Sequence, residues 1–178
     1  MGECGELWGK ICTFVTRILY LGVTMRFIGN IEAKVDAKGR VFLPAVFRKE
    51  LMGEGTATLM LRKDLFQDCL VLYPEAIWNE QTDALRSRLN RWVKEEQQFF
   101  REYVSAVVRV PLDSDGRLLI PKRFLTMAGI DQSVRFIGMD DCIEIWSEQN
   151  TEQPFVEPEE LAAQLSRLMS GNPQNPSA

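Results

Sequence analysis

Apolar and polar residues alternate over short runs at several places in the chain, and turn residues bound each run. From Phe27 to Val35, and again from Tyr103 to Leu112, the run is β-rich and reads as a strand. Both lead into a turn of the form Asp-x-x-Gly-Arg, where aspartate favours the start and glycine supplies a positive φ. A second apolar run follows, Val41 to Leu43 and Leu118 to Ile120. A proline then stands where a helix would begin, in PAVFRKELMG and PKRFLTMAG. Proline at the first helical position and glycine past the last turn bracket a short helix. Period-two strands close each unit, LMLRKD and CLVLY in the first, SVRFIG and CIEIW in the second.

The two units are copies of each other. VDAKGRVFLPAVF at 35–47 realigns on LDSDGRLLIPKRF at 112–124 at a constant offset of 77 residues, and CLVLYP at 69–74 on CIEIWS at 142–147 at an offset of 73. A loop that has lost four residues explains the difference. A unit of about 45 residues cannot bury its own apolar face, whereas two copies in one polypeptide can cover each other. The expectation is an α+β protein: two half-barrels forming one pseudo-two-fold barrel, with helices between and after them. The boundaries are repeat one at 29–76, a helical connector at 77–104, repeat two at 105–148 and an acidic helical tail at 149–178.

The connector begins after Pro74 and carries Trp78, Leu85, Leu89, Trp92, Phe99 and Tyr103 at helical spacing, which predicts one long amphipathic helix or two end to end. Its charged face mixes Arg86, Arg88, Arg91 and Lys94 with Glu80, Asp83, Glu95 and Glu96, the composition of ordinary solvated surface. The tail offers one short helix from Pro158 to Met169, and its final GNPQNPSA is expected to be disordered.

Charge changes the picture only when read locally. The formal net charge is −4 and the pI about 5.1, against the basic balance usual for a nucleic-acid binder. Residues 26–63, however, hold eight bases against four acids, while from Met139 onward eight acids face Arg167 alone. The whole-chain value thus hides a basic region. The chain has no histidine, which removes Ser-His and Cys-His nucleophile pairs, imidazole proton shuttles and the commonest metal ligand. Cys4, Cys12, Cys69 and Cys142 form no Cys-x-x-Cys pair, so reduced thiols of a cytosolic protein are expected, with no metal and no cofactor. Cys69 and Cys142 recur at matching repeat positions among apolar neighbours, which predicts buried strand thiols. Residues 11–24 are apolar but fall short of about 20 residues and are interrupted by Arg17, so no membrane span is expected. Residues 1–24 read as an extension upstream of Met25, from a misplaced start codon or, alternatively, a short signal sequence.

NIEAKVDAKGRVFLPAVFRKEL, CLVLYPEAIW, LDSDGRLLIPKRFLTMAGI and GMDDCIEIW together resemble the MraZ family across roughly residues 25–150. The two Asp-x-x-x-Arg motifs, Asp36 to Arg40 and Asp113 to Arg117, each followed by a proline four residues on, carry the resemblance. It implies a SpoVT/AbrB-like swapped-hairpin fold in each repeat and a ring-shaped homo-oligomer. It further implies sequence-specific binding to double-stranded DNA at short direct repeats upstream of the division and cell-wall gene cluster, including the protein's own gene, in the cytoplasm at the nucleoid. The chain departs from the pattern in residues 1–24 and in Ser114-Asp115, where an added acid beside the second arginine predicts a weaker phosphate contact.

Arginine suits such a ligand because its planar fork bonds a phosphate, or the O6/N7 edge of guanine, through two donors. Arg40 and Arg117 are the first candidates. Lys34, Lys38 and Arg109 flank the turns as phosphate contacts, Asp36 and Asp113 orient the arginines, and Gly39 and Gly116 shape the turns. Each Asp–Arg pair is read equally well as a salt bridge that merely fixes its loop, and the two readings are compatible. Arg48, Lys49, Lys122 and Arg123 rank lower, as solubilising helix residues. Two other functional classes compete with this reading. An antitoxin-like protein-interaction module would use the acidic tail, where Leu161, Leu165 and Leu168 offer a short apolar stripe. An enzyme is disfavoured because carboxylates beside arginines have lowered pKa values, unsuited to general acids.

Overall fold

The computed structural model describes residues 26–53 and 58–170. The expectations for residues 1–24 and 171–178 lie outside these. In chain order, repeat one supplies β1 (Asn30–Lys34), β2 (Arg40–Phe42), α1 (Ala45–Gly53), β3 (Thr58–Lys63) and β4 (Cys69–Pro74). Two helices follow, α2 (Glu75–Arg88) and α3 (Lys94–Ser105). Repeat two supplies β5 (Val108–Pro111), β6 (Arg117–Leu119), α4 (Lys122–Met127), β7 (Ser133–Gly138) and β8 (Ile143–Ser147). A 3-10 turn (Gln149–Thr151) and α5 (Pro158–Met169) complete the described chain.

The strands are exchanged between repeats. A six-stranded antiparallel sheet has the order β1-β7-β8-β4-β3-β5, and a two-stranded ribbon pairs β2 with β6. Exchanging the strands of one repeat for their equivalents in the other reverses this order onto itself, so a pseudo-two-fold axis passes between β4 and β8. The same axis passes through the Val41–Leu118 pair at the middle of the ribbon. Single bridges, Val35 to Val41 and Leu112 to Leu118, join the ribbon to the two sheet edges and close the barrel. Closure leaves few unpaired edge groups.

One core fills the barrel. Phe27, Leu43, Phe47, Leu61, Leu70, Leu118, Ile120 and Phe136 are fully buried, with Phe124 nearly so. Phe47 and Phe124, at equivalent positions in α1 and α4, pin each short helix to this core. Burying each such ring contributes roughly 1.5–3 kcal/mol. Along β1 the outward residues Asn30, Glu32 and Lys34 are exposed while Ile31 and Ala33 turn inward, the alternation read from the sequence.

Several details differ from expectation. The four residues lost between the repeats come from two places. Met60 opposite Arg109 and Arg135 opposite Glu32 give an intermediate offset of 75. Two residues are therefore lost before β7 and two in the turn before β8. Pro121 caps α4 from outside its first turn and Pro44 precedes α1, so both prolines stand one residue before the helical position predicted for them. Tyr103, assigned to a strand run as well as to the connector, is helical. The connector is two helices, the second of the two alternatives expected, with residues 89–93 between them. Asn90 Oδ1 accepts from the Trp92 N–H (2.9 Å) and its carbonyl from the Val93 N–H (3.2 Å), a local side-chain turn that competes with the helix. Trp92 falls in this break at 95% exposed instead of in the apolar face. Trp78 is buried, stacked on Tyr103 at 5.3 Å between ring centroids, with the tilted ring of Tyr73 at 6.0 Å.

Cys69 is a buried strand thiol; Cys142 is half-buried and precedes β8. Burial pushes both thiols up to about 12, helped for Cys69 by Glu144 and for Cys142 by Asp141. Neither is a thiolate at neutral pH, which agrees with a packing role. No helix among the described residues is long and apolar enough to cross a membrane.

Candidate nucleic-acid interface

Each Asp-x-x-Gly-Arg segment folds into a tight turn that its aspartate organises. The backbone closes it, Asp36 N–H donating to the Arg40 carbonyl (2.9 Å) and Gly39 N–H to the Asp36 carbonyl (2.9 Å). Asp36 Oδ1 accepts from the N–H groups of Lys38 and Arg40, both at 2.9 Å, and Oδ2 accepts from Arg40 Nε at 2.7 Å. Donation from the Arg40 N–H, with the arginine side chain and the Lys38 N–H, outweighs desolvation and holds the Asp36 carboxyl below its ordinary value. The second turn repeats the backbone pattern, with Asp113 Oδ1 accepting from Asp115 N–H (3.0 Å) and Arg117 N–H (2.7 Å). An Asp–Arg ion pair thus lies across each turn, at 2.7 Å in the first and 3.4 Å in the second.

Gly39 and Gly116 have φ of +85° and +80°, the left-handed region that glycine adopts without cost. Each turn also locks the other repeat. Gly116 carbonyl accepts from Leu43 N–H (3.0 Å), and Gly39 carbonyl from Ile120 N–H (2.9 Å). A Cβ on Gly39 would stand 2.6 Å from the Ile120 carbonyl oxygen. The motif thus serves the strand exchange as well as the surface.

β2 and β6 follow directly from these turns, and the ribbon brings the two arginines together. Val41 and Leu118 point into the core, so Arg40, Phe42, Arg117 and Leu119 lie on the outer face. Arg40 is opposite Leu119, and Arg117 is opposite Phe42, with its guanidinium 5.1 Å from the ring centroid. A two-stranded antiparallel ribbon is one of the two elements that fit the major groove of B-DNA.

The two halves are not equal. Arg40 has one carboxylate partner and a side chain 40% exposed. Arg117 is 26% exposed and faces two carboxylates: Asp113, with Nε 3.4 Å from Oδ2, and Asp115, which its Nη2 touches. Arg48, from α1 of repeat one, also lies over the second turn, its Nη1 3.5 Å from the Asp115 carbonyl. The equivalent position in repeat two is Leu125, whose methyl lies against the first turn. In sequence Arg48 reads as a solubilising helix residue; only the swapped packing reveals its position.

The remaining predicted residues are spread more widely. Lys38 is exposed within the first turn, and Lys34 on the outer face of β1; among the described residues neither has a carboxylate partner. Arg109 lies on β5 and is tied to Glu75 at the start of α2, at 2.8 Å. Lys49, Lys122 and Arg123 are exposed on the short helices. Among the described residues no group of three or more cysteines or acids is arranged to hold a metal ion.

A duplicated, strand-exchanged α+β barrel with an arginine-bearing turn in each repeat is a tandem-repeat protein with no nucleophile–base pair on its ribbon. The profile of a family described as "MraZ protein, putative antitoxin-like" matches it twice, at residues 27–102 and 105–170. The chain is 57% identical over 148 residues to the transcriptional regulator MraZ of Phocaeicola vulgatus, covering 83% of this chain and 96% of that protein. It is 54% identical over 146 residues to that of Bacteroides thetaiotaomicron, covering 82% and 94%. It is 34% identical over 148 residues to that of Christiangramia forsetii, covering 83% and 95%. The chain belongs to the MraZ family. With relatives that carry this name, it is a transcription regulator and not an enzyme.

Proposed function

We propose that the protein regulates transcription by binding double-stranded DNA sequence-specifically through the β2–β6 ribbon and its two turns. The observation that carries this reading is the placement of Arg40 and Arg117 on one outward face of a two-stranded ribbon of a width suited to the major groove. Asp36 and Asp113 orient the arginines and Gly39 and Gly116 shape the turns. Lys34 and Lys38 add phosphate contacts on the first half, and Arg109 does so once Glu75 gives it up. The first turn dominates, because Arg40 is the less neutralised and the more exposed of the two arginines.

The sites are short direct repeats upstream of the division and cell-wall gene cluster, the protein's own gene included, bound in the cytoplasm at the nucleoid. One chain offers only two turns, so a ring of subunits engaging several boxes at once supplies the affinity by avidity. The test is a mobility shift on DNA upstream of its own gene, against scrambled sequence, at several salt concentrations. A preferred complex that weakens with salt is expected. Arg40→Ala costs about 1–3 kcal/mol of that preference. Arg117→Ala costs less. A folded protein with no preference between the two DNAs refutes the reading.

A second reading has one observation behind it. α5 is exposed throughout and carries Leu161, Leu165 and Leu168 on one stripe of an acidic tail, which suits an antitoxin-like contact with another protein. In that case removal of residues 157–170 abolishes partner capture and leaves DNA binding intact.

A further inference from the structure

Phe42 and Leu119 occupy equivalent positions in the two repeats, 77 residues apart, and each is 55% exposed. Both stand on the outer face of the ribbon, one residue from the pseudo-two-fold axis, each directly across from an arginine. The polar alternation seen on the outer face of β1 is absent here: each half of the ribbon presents one guanidinium and one large apolar side chain. Scattered exposed apolar residues are ordinary on protein surfaces. A pair repeated by the internal symmetry, beside both arginines and covered by no element among the described residues, calls for an occupant.

We infer that Phe42 and Leu119 are specificity-determining residues that read the C5-methyl groups of thymines in the major groove, beside the bases or phosphates met by Arg117 and Arg40. This deepens the DNA-binding reading and rests on it. The occupant is argued from charge and shape. Around the pair Lys38, Arg40, Arg48 and Arg117 outnumber Asp36, Asp113 and Asp115, a small positive excess that favours a polyanion, and a ribbon seated in the major groove brings its outward side chains to base edges. The thymine methyl is the one apolar group that a base pair displays in that groove, and apolar side chains meet it without needing a hydrogen bond. Arginine alone distinguishes guanine; the paired apolar residue adds a second, chemically different discrimination on each half of the ribbon. Phe42 has a further part in holding Arg117 through its ring face, whereas Leu119 has only packing to offer Arg40.

The experiment replaces thymine by deoxyuridine, position by position, in the DNA box that the wild-type protein prefers, and measures affinity by titration. Wild type is expected to lose about fourfold at each contacted thymine, the effect of exposing one methyl-sized apolar group. Leu119→Ala and Phe42→Ala, whose surface positions leave the fold intact by circular dichroism, bind the thymine box more weakly and no longer distinguish it from the deoxyuridine box at their own positions. Leu119→Ala is the cleaner variant because it leaves the cation–π contact of Arg117 untouched. Specific binding by wild type that is indifferent to deoxyuridine, or variants that keep the wild-type thymine preference, overturns this inference and leaves the DNA-binding reading standing. No preference for any DNA, together with a fall in oligomer mass on Leu119→Ala, overturns both and assigns the pair to a contact with the acidic α5 of a second copy.

Discussion

At Asp36 a single carboxylate holds a turn and a cation together. Two backbone N–H groups and the Arg40 side chain donate to it, the Arg40 N–H contributing most to its lowered pKa. A depressed folded pKa means that the stabilisation is complete above the ordinary carboxylate value of about 4 and is lost as pH falls through the lower folded one. Asp36→Ala removes it at every pH. The melting temperature of wild type should therefore exceed that of Asp36→Ala by a constant amount near neutral pH, and the gap should close in acid below about pH 4. Thermal denaturation of both proteins across the acid range checks this, and a gap that persists undiminished contradicts it. The aspartate, glycine and arginine of this turn were legible in sequence because turn chemistry is local. The second carboxylate on Arg117 was visible as Ser114-Asp115 for the same reason, and the structure puts Asp115 against the guanidinium. Arg48 was not legible as a neighbour of the second turn. It reaches that turn from the other repeat, 67 residues away in sequence.

The elements themselves were legible wherever periodicity and punctuation agreed. The turns, the closing strand pairs, the short helices after each proline and α5 all stand close to where the pattern places them. Strand partners were not, since period-two alternation says which face is buried and nothing about which strand lies beside it. The connector failed at Trp92, whose helical spacing is accidental: Asn90 supplies a turn that ends the helix first. Trp78 and Trp92 thus form a controlled comparison within one segment. Trp78→Ala deletes a buried ring stacked on Tyr103 and should lower stability by about 3–5 kcal/mol. Trp92→Ala, at an almost fully exposed position, should change it by less than about 0.5 kcal/mol. Denaturant titration of both variants, at constant m-value, separates the two outcomes.

Over the whole molecule, exchange of strands makes the repeats interdependent. β1 finds its partner in β7, β3 flanks β5, and β2 has a ladder with β6 and only the single Val35–Val41 bridge within its own repeat, so repeat one alone exposes the edges that repeat two would cover. A fragment of residues 26–88 should be unfolded when dilute and should fold only by pairing with a second copy or with the missing half. Circular dichroism and sedimentation across concentration test this; a folded monomeric fragment contradicts it. The net charge of −4 is no obstacle to an anionic ligand, because the basic excess of residues 26–63 and the acidic tail belong to different parts of the chain. Housing both copies in one polypeptide has a consequence for the DNA as well. A dimer of identical chains imposes its symmetry on its operator, which must then read alike from either end. Here the axis through Val41 and Leu118 relates an arginine facing one acid to an arginine facing two, and a phenylalanine to a leucine. In the proposed complex the two halves of the ribbon therefore demand different bases, and the bound site has a direction. Boxes with a direction can be laid head to tail without limit, so the number of boxes, and not a palindrome, becomes the quantity a promoter can vary to set how firmly it is held.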